Sequence, residues 1–553
     1  MNMLPTELSL NYSKKKIIAA IIIIGLISLG LKLITFDPSL LPPEDTFGYT
    51  LRAISHSNGI FLEPERKTLG WSLVASPFIS LVNSDNFLDY VNTLRILSLS
   101  ISLFTIVPMY VLGRKFFNEK YALVSSLLFA LLPDLNYNSS QGLSEPIYIL
   151  CVILAMNFIL SRNDKITYLA FIMSGFAWMM RWPGILIFII TSIIYFLNSG
   201  ISTRTLLKYS LCFFIFLIVV SPMLINRYAE YEDPLYFSQT PQLFTGDYSR
   251  LLAENTKDIE YSASQYIEDN GILSFLEKFL GEGLTNIGSL LLRITFPFLI
   301  ILFPIGIFFS IRPFDQNTKF IRSLWIMILI SLFSMITYIA VVPEKRLLFS
   351  ILPFIIIIGT IPIQRLIQYG LSTFSFTNNM KNIALITIIL FIIALSLFAT
   401  LRYDLVDNTE NKERIQFGDY LTKNLKGNII DAGNTLQGLS FSQLSYPVGN
   451  FKTFDPRLND NNLQNSLQLI QISIHGETLN SFILNSELNQ VKYISISEKG
   501  ITEQWYPFLS EVYDNEEKYP YLEKIFDSEE NGYDRFKVKV FEINYDIFKD
   551  GKK

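Results

Sequence analysis

Apolar residues gather in long blocks along roughly the first 400 positions, with short polar stretches between them, and the alternation stops near Leu401. A helix needs about 20 consecutive apolar residues to cross the hydrocarbon core of a bilayer. Segments near that length are predicted at 17–36, 92–112, 120–135, 144–161, 166–180, 183–198, 208–226, 285–311, 322–342, 347–364 and 382–401, about eleven in all. Residues 403–553 contain no such run. Their strand-like stretches 428–431, 491–496 and Phe536–Ile543 are β-branched or alternating, and Arg414–Lys426 and Leu463–Ile474 have helical apolar spacing. The pattern predicts a polytopic α-helical membrane domain over 1–402 and a small α/β domain over 403–553.

Composition agrees: half of the 553 residues are hydrophobic, 45 are Phe, and 17% are charged. The first block follows Lys14, Lys15 and Lys16, but it is long for a signal-peptide core and no small-residue cleavage site follows, so a retained helix is expected. Both cysteines, Cys151 and Cys212, lie inside apolar runs, which argues against a disulfide framework or a thiolate metal site. A net charge of −4 gives no reason to expect a nucleic-acid partner.

Charge sets the expected sidedness. With the amino terminus inside, the inner loops hold Arg114, Lys115, Lys120, Arg162, Lys165, Arg204, Lys208, Arg312, Lys319, Arg322, Arg365 and Lys381 as well as the three amino-terminal lysines. Short cytoplasmic loops carry such an excess of Lys and Arg. The amino terminus is therefore expected to be cytoplasmic, and the loops 37–91 and 227–283 and the tail extracytoplasmic.

The loop 37–91 is too long for a plain connection. It opens with Pro42 and Pro43 ahead of the acid pair Glu44 and Asp45, and residues from Tyr49 to His56 could form a short helix. Leu69–Val82 is apolar but short, as in a segment lying along the membrane surface. A positioned carboxylate there could take a proton from an attacking hydroxyl. The same acids could simply stabilise the positive end of the following helix. Glu145, just after Ser144 at the start of a predicted span, has the same two explanations. Arg95, Arg181, Arg293, Lys345 and Arg346 fall at or within predicted span ends. Cations at membrane depth mark functional sites by default, although long side chains also snorkel to headgroups. Converging cations suit a phosphate, which guanidinium groups bind bidentately.

The histidines, His56 and His475, are far apart in sequence and show no zinc-ligand clustering. His56 could orient a substrate or lie solvated in its loop. No metal is required, and a divalent cation held through the oxygens of Glu44 and Asp45 is left open.

Four stretches resemble the integral-membrane GT-C glycosyltransferases, in particular the branch of protein O-mannosyltransferases, aminoarabinose transferases and RgtA/B/C/D-like enzymes. They are Glu44-Asp45-Thr46-Phe47-Gly48-Tyr49; Arg95-Ile96-Leu97-Ser98 with the later Leu131-Leu132-Pro133 and Ser144-Glu145-Pro146; Asn226-Arg227-Tyr228 through Asp233-Pro234; and Lys345-Arg346-Leu347 through Pro353. Glu232 stands where that family commonly has glycine. A Trp-Trp-Asp-Tyr-Gly motif, the mark of oligosaccharyltransferases, does not occur. The resemblance covers residues 1 to about 365 and implies the GT-C fold. It also implies inverting transfer from a polyprenyl-phosphate sugar donor to a protein, lipid or glycan acceptor. Asp45 would be the base, with Glu44 its competitor, and Glu145, Arg346, Lys345, Arg181, Arg95, Arg293, Tyr49 and His56 would surround the substrates. The alternatives are a flippase for lipid-linked sugars, for which inverted repeats with broken helices would be expected, and a non-catalytic scaffold.

Overall fold

The computed structural model describes residues 13–40, 42–61, 67–161, 163–237, 242–247, 261–311, 318–432, 451, 469–498 and 506–550, without the side chains of 44, 164, 318, 319 and 403–408. The described chain is mostly helical. Helix α1, Lys14–Ile34, shows why: an unbroken aliphatic run with buried Ile24, Ser28, Leu31 and Lys32 on one stripe. Ile18, Ile22, Ile23 and Leu26 are exposed on its other face. In a bilayer such a helix satisfies all its backbone groups internally while its apolar face meets lipid.

Among the described residues, seven helices are long and apolar enough to cross a membrane, and a bent pair gives an eighth. This is fewer than the eleven blocks seen in the sequence, for two reasons. The blocks at 120–135, 144–161 and 166–180 are the helices α6 (Glu119–Ala130), α8 (Glu145–Ile159) and α9 (Tyr168–Met180), each under 16 residues. At 1.5 Å per residue they fall short of the core thickness. They are wrapped by other helices, with buried residues around most of their circumference, so they need not match it. The block 285–311 is broken near Pro297, which has no N–H to continue a helix. Ala263–Thr295 and Leu299–Ile311 meet there at 111°.

The end of the bundle that matters most is built by α2 (Glu44–Ser57), α3 (Gly70–Ile79), the start of α4 (Phe87–Phe104) and the short α7 (Pro133–Ser140). The predicted surface segment 69–82 is α3, ten residues long and half-sunk, with Trp71 and Ala75 fully buried. In the long loop, a helix with a Ser262 capping box covers Ala263–Phe275, kinked at Gly271.

The last spanning helix does not stop at Arg402. It runs unbroken over Asn378–Asn424 into the tail, so the expected boundary at 402/403 falls inside a helix. The tail holds a five-stranded mixed sheet of β1 (Gly427–Asp431), β2 (Leu469–Ile472), β3 (Val491–Ser497), β4 (Leu522–Asp527) and β5 (Val538–Ile543), in the order β2-β1-β3-β5-β4. β1 pairs in parallel with β2 and β3, and β5 lies antiparallel between β3 and β4. The helix expected over Leu463–Ile474 is corrected: its described part contains strand β2, because a short apolar run fits either period and pairing with β1 decides the matter. The tail touches the membrane domain where Phe451 packs edge-on against Phe87 and Tyr90, with ring centroids 5.4 Å apart in both cases.

Candidate active site

The approach to α2 is fixed from below. Arg95, buried on α4, donates through its Nη1 to the carbonyls of Asp37 (3.0 Å) and Leu40 (3.1 Å). That bond set holds the chain leaving α1 so that Pro43, with extended backbone, starts α2 at Glu44. The backbone of Glu44 is the first residue of the helix; its side chain lies outside the described ones. Positions 45, 49 and 56 then share a face, being four and eleven residues apart at 3.6 per turn. Thr46 Oγ1 donates to the carbonyl of Gln141 (2.7 Å), Trp71 Nε1 to that of Gly142 (3.0 Å), and Tyr49 Oη meets Ser144 Oγ (3.2 Å). These bonds dock α2 and α3 on the turn between α7 and α8.

Gly142 makes that turn possible. Its φ is +79°, and a Cβ there would lie 2.9 Å from Thr46 Cγ2 and 3.3 Å from Arg95 Cγ. Gly142→Ala is expected to lower stability by about 1–3 kcal/mol through backbone strain and overpacking, which the melting temperature in detergent would read.

On this scaffold a charge cluster closes. Asp45 Oδ1 receives Lys67 Nζ at 2.8 Å, and Asp45 Oδ2 receives Arg346 Nη1 at 2.5 Å. The same guanidinium lies 3.8 Å from Glu145 Oε1 and gives its Nη2 to Glu344 at 2.7 Å. Arg181 pairs with Glu145, and Lys345 with the buried Asp134. Glu145 is only 1% exposed, and its Oε2 has no hydrogen-bond partner among the described residues. Lys67 also stands 5.0 Å over the Tyr49 ring. Tyr338 borders the same charges, feeling Glu344, Arg181, Arg346 and Asp45. Partial withdrawal from water pushes the Asp45 carboxyl up, but Lys67 and Arg346 outweigh it and hold the group well below the usual carboxylate range.

Of the residues singled out from sequence, Asp45, Glu145, Arg181 and Arg346 meet in one cluster, with Tyr49 on its rim and Lys345 alongside. Arg95 does not join; it holds the loop entrance. Arg293, expected to point inward, is exposed in the last turn of the Gly283–Thr295 helix, where the break after Thr295 leaves a cation favourably placed at the helix end.

His56 is buried near the far end of α2, stacked on Phe61 at 5.4 Å, and its Nδ1 has no partner among the described residues. Burial pushes its pKa down from 6.5 to about 4. The fold thus favours the neutral ring: this contribution is fully present above pH 6.5 and fades as pH falls toward 4. Melting curves across that range should show an acid-side loss on the order of 2 kcal/mol that shrinks in His56→Gln.

Two functional candidates escaped the sequence argument. Lys67 sits in an ordinary-looking charged stretch, Glu65-Arg66-Lys67, and only its place beside Asp45 in the structure reveals it. Arg227 lay within the Asn226-Arg227-Tyr228 stretch without an assigned role. Fully buried, it donates to the carbonyls of Lys67 (2.8 Å) and Tyr236, and its guanidinium lies 5.0 Å from the Trp182 ring centroid. It ties the Lys67 backbone to the start of the long loop and to the neighbour of Arg181.

No group of three His, Cys, Asp or Glu able to hold a metal ion occurs among the described residues. Asp45 has both oxygens on cations, and the side chain of Glu44, its partner in the acid pair, lies outside the described ones.

Similar folds are known. The chain superposes on the oligosaccharyltransferase of Archaeoglobus fulgidus in its apo form with a TM-score of 0.58 and 11% identity, covering 89% of this chain and 71% of that one. It matches ArnT from Cupriavidus metallidurans, solved bound to undecaprenyl phosphate, with a TM-score of 0.53, 10% identity and coverage of 96% and 98%. AglB from Archaeoglobus fulgidus, in complex with an inhibitory peptide and a dolichol-phosphate, gives 0.53 at 13% identity, covering 90% and 72%. A sequence search of characterised proteins finds no match. The fold is the GT-C fold seen in these membrane glycosyltransferases. Residues 87–226 match the family of dolichyl-phosphate-mannose-protein mannosyltransferases.

Proposed function

We propose that the protein is an inverting glycosyltransferase that takes a sugar from a polyprenyl-phosphate donor and places it on a hydroxyl group, on the extracytoplasmic side. The observation that carries this is the convergence of Asp45 from the first loop with Lys67, Arg181 and Arg346 from three separate parts of the chain. A nucleophile's base and cations fit for a phosphate thus share one place. The matches to ArnT bound to undecaprenyl phosphate and to AglB with dolichol-phosphate support a lipid-phosphate donor. The basic bias of the alternate loops supports an outward-facing cluster.

In the reaction, the donor phosphate rests on Lys67 and Arg346, and the acceptor hydroxyl faces Asp45. The acceptor oxygen forms its bond to the anomeric carbon as the carbon–oxygen bond to phosphate breaks. The hydroxyl proton goes to Asp45, and the bonding pair leaves with the polyprenyl phosphate. Lys67 and Arg346 hold the charge that develops on the departing oxygen, the kind of preorganised stabilisation that lowers barriers most. Glu145, paired with Arg181, presents its open Oε2 to a sugar hydroxyl.

Membranes containing the protein, given a radiolabelled polyprenyl-phosphate sugar, should move label from the lipid to an acceptor fraction. Label that crosses the bilayer while still attached to lipid would instead identify a flippase.

A further inference from the structure

Among the described side chains, the charges of the cluster balance. Four carboxylates, Asp45, Glu145, Glu344 and Asp134, face four cations, Lys67, Arg181, Arg346 and Lys345. An anionic donor therefore enters a site whose cations are already engaged. The Asp45 side chain keeps 30% of its surface open, against 23% for Lys67, 27% for Arg346 and 34% for Glu344, while Glu145 is sealed at 1%. Among the described carboxylates, Asp45 is the one that touches both Lys67 and Arg346, with one oxygen on each, as two phosphate oxygens would.

We infer that Asp45 occupies the phosphate position in the resting protein, and that an incoming lipid phosphate displaces it from Lys67 and Arg346 and thereby frees it to act as the base. This rests on the proposed lipid-phosphate donor and deepens it. While clasped by two cations, Asp45 is a poor proton acceptor, consistent with the depressed affinity of its carboxyl for protons. Once the phosphate takes over both cations, the carboxylate loses that stabilisation and gains an anionic neighbour, both of which raise its basicity. Substrate binding and base activation are then one event, and the resting enzyme is protected from deprotonating water or a stray hydroxyl. The polyprenyl phosphate product leaves as Asp45 returns.

The inference makes a prediction of unusual sign, since a carboxylate that competes with the ligand weakens its apparent affinity by the fraction of molecules in which it fills the site. The purified full-length protein is titrated with undecaprenyl phosphate and with dolichyl phosphate, each without sugar. Wild type binds one or both; Asp45→Asn, which cannot fill the position as an anion, binds at least about tenfold tighter, and Lys67→Met at least about tenfold weaker. Glu344→Gln is the control for mere charge, because it removes one negative group from Arg346 while leaving Asp45 in place. It should tighten binding much less than Asp45→Asn. Asp45→Ser provides the same test if Asp45→Asn does not fold. Equal or weaker binding by the folded Asp45 variants, or equal tightening by Glu344→Gln, overturns the displacement while the donor class stands. If neither lipid phosphate binds wild type or any variant, the donor class itself fails and the displacement with it.

Discussion

Asp45→Asn is expected to reduce sugar transfer by roughly two to four orders of magnitude in a chain that still folds and inserts. The side chain keeps its size, and its amide oxygen can still accept from Lys67 or Arg346. What disappears is the ability to take a proton from the acceptor as it attacks. The helix beneath does not depend on that charge, since α2 is docked by Thr46, Tyr49 and Trp71 through neutral hydrogen bonds. Activity should therefore fall far more than the melting temperature. Transfer assays at saturating donor, run beside thermal melts, would separate the two. A variant that turns over normally would remove Asp45 from the role of base.

The second large effect is expected at Arg346. Its guanidinium bonds Asp45 and Glu344 and lies 3.8 Å from Glu145. Arg346→Met would leave three carboxylates with Lys67 and Arg181 as their cations, Glu145 being almost fully buried. Removing one partner of a buried ion pair typically destabilises by several kcal/mol. Because Arg346 retains some solvent exposure, we expect roughly 2–4 kcal/mol together with near-complete loss of transfer. Arg346→Lys restores the charge but not a fork that can reach several carboxylates at once, so it should recover stability in part and activity little. Equal activity in the Lys variant would mean that a point charge suffices.

Much of this was legible in the residues themselves. Length and apolarity of the blocks carry a membrane signal that does not depend on packing, so the long helices from Lys14, Phe87, Thr203, Phe320 and Asn378 came out where expected. Whether a block spans or is merely wrapped by others depends on tertiary burial, which is why α6, α8 and α9 looked like spans and are shorter helices. The acid pair and Arg346 stood out because charges beside apolar blocks are conspicuous. Lys67 was invisible for the opposite reason: it lies in a charged stretch where one more lysine means nothing until the structure sets it beside Asp45. Arg293 misled because its neighbours in sequence are apolar, whereas the break near Pro297 places it at a helix end facing outward. In the tail, strand β2 shows the familiar ambiguity of short aliphatic runs, resolved only by the neighbouring strand.

The account stands most directly on Asp45 acting as a proton acceptor in a single displacement, so the anomeric configuration of the first product is the decisive observation. One turnover with a donor of known configuration, followed by NMR of the new glycosidic linkage, should show inversion. A product that keeps the donor's configuration would mean two successive displacements through a sugar bound to the protein, and would contradict the mechanism drawn here.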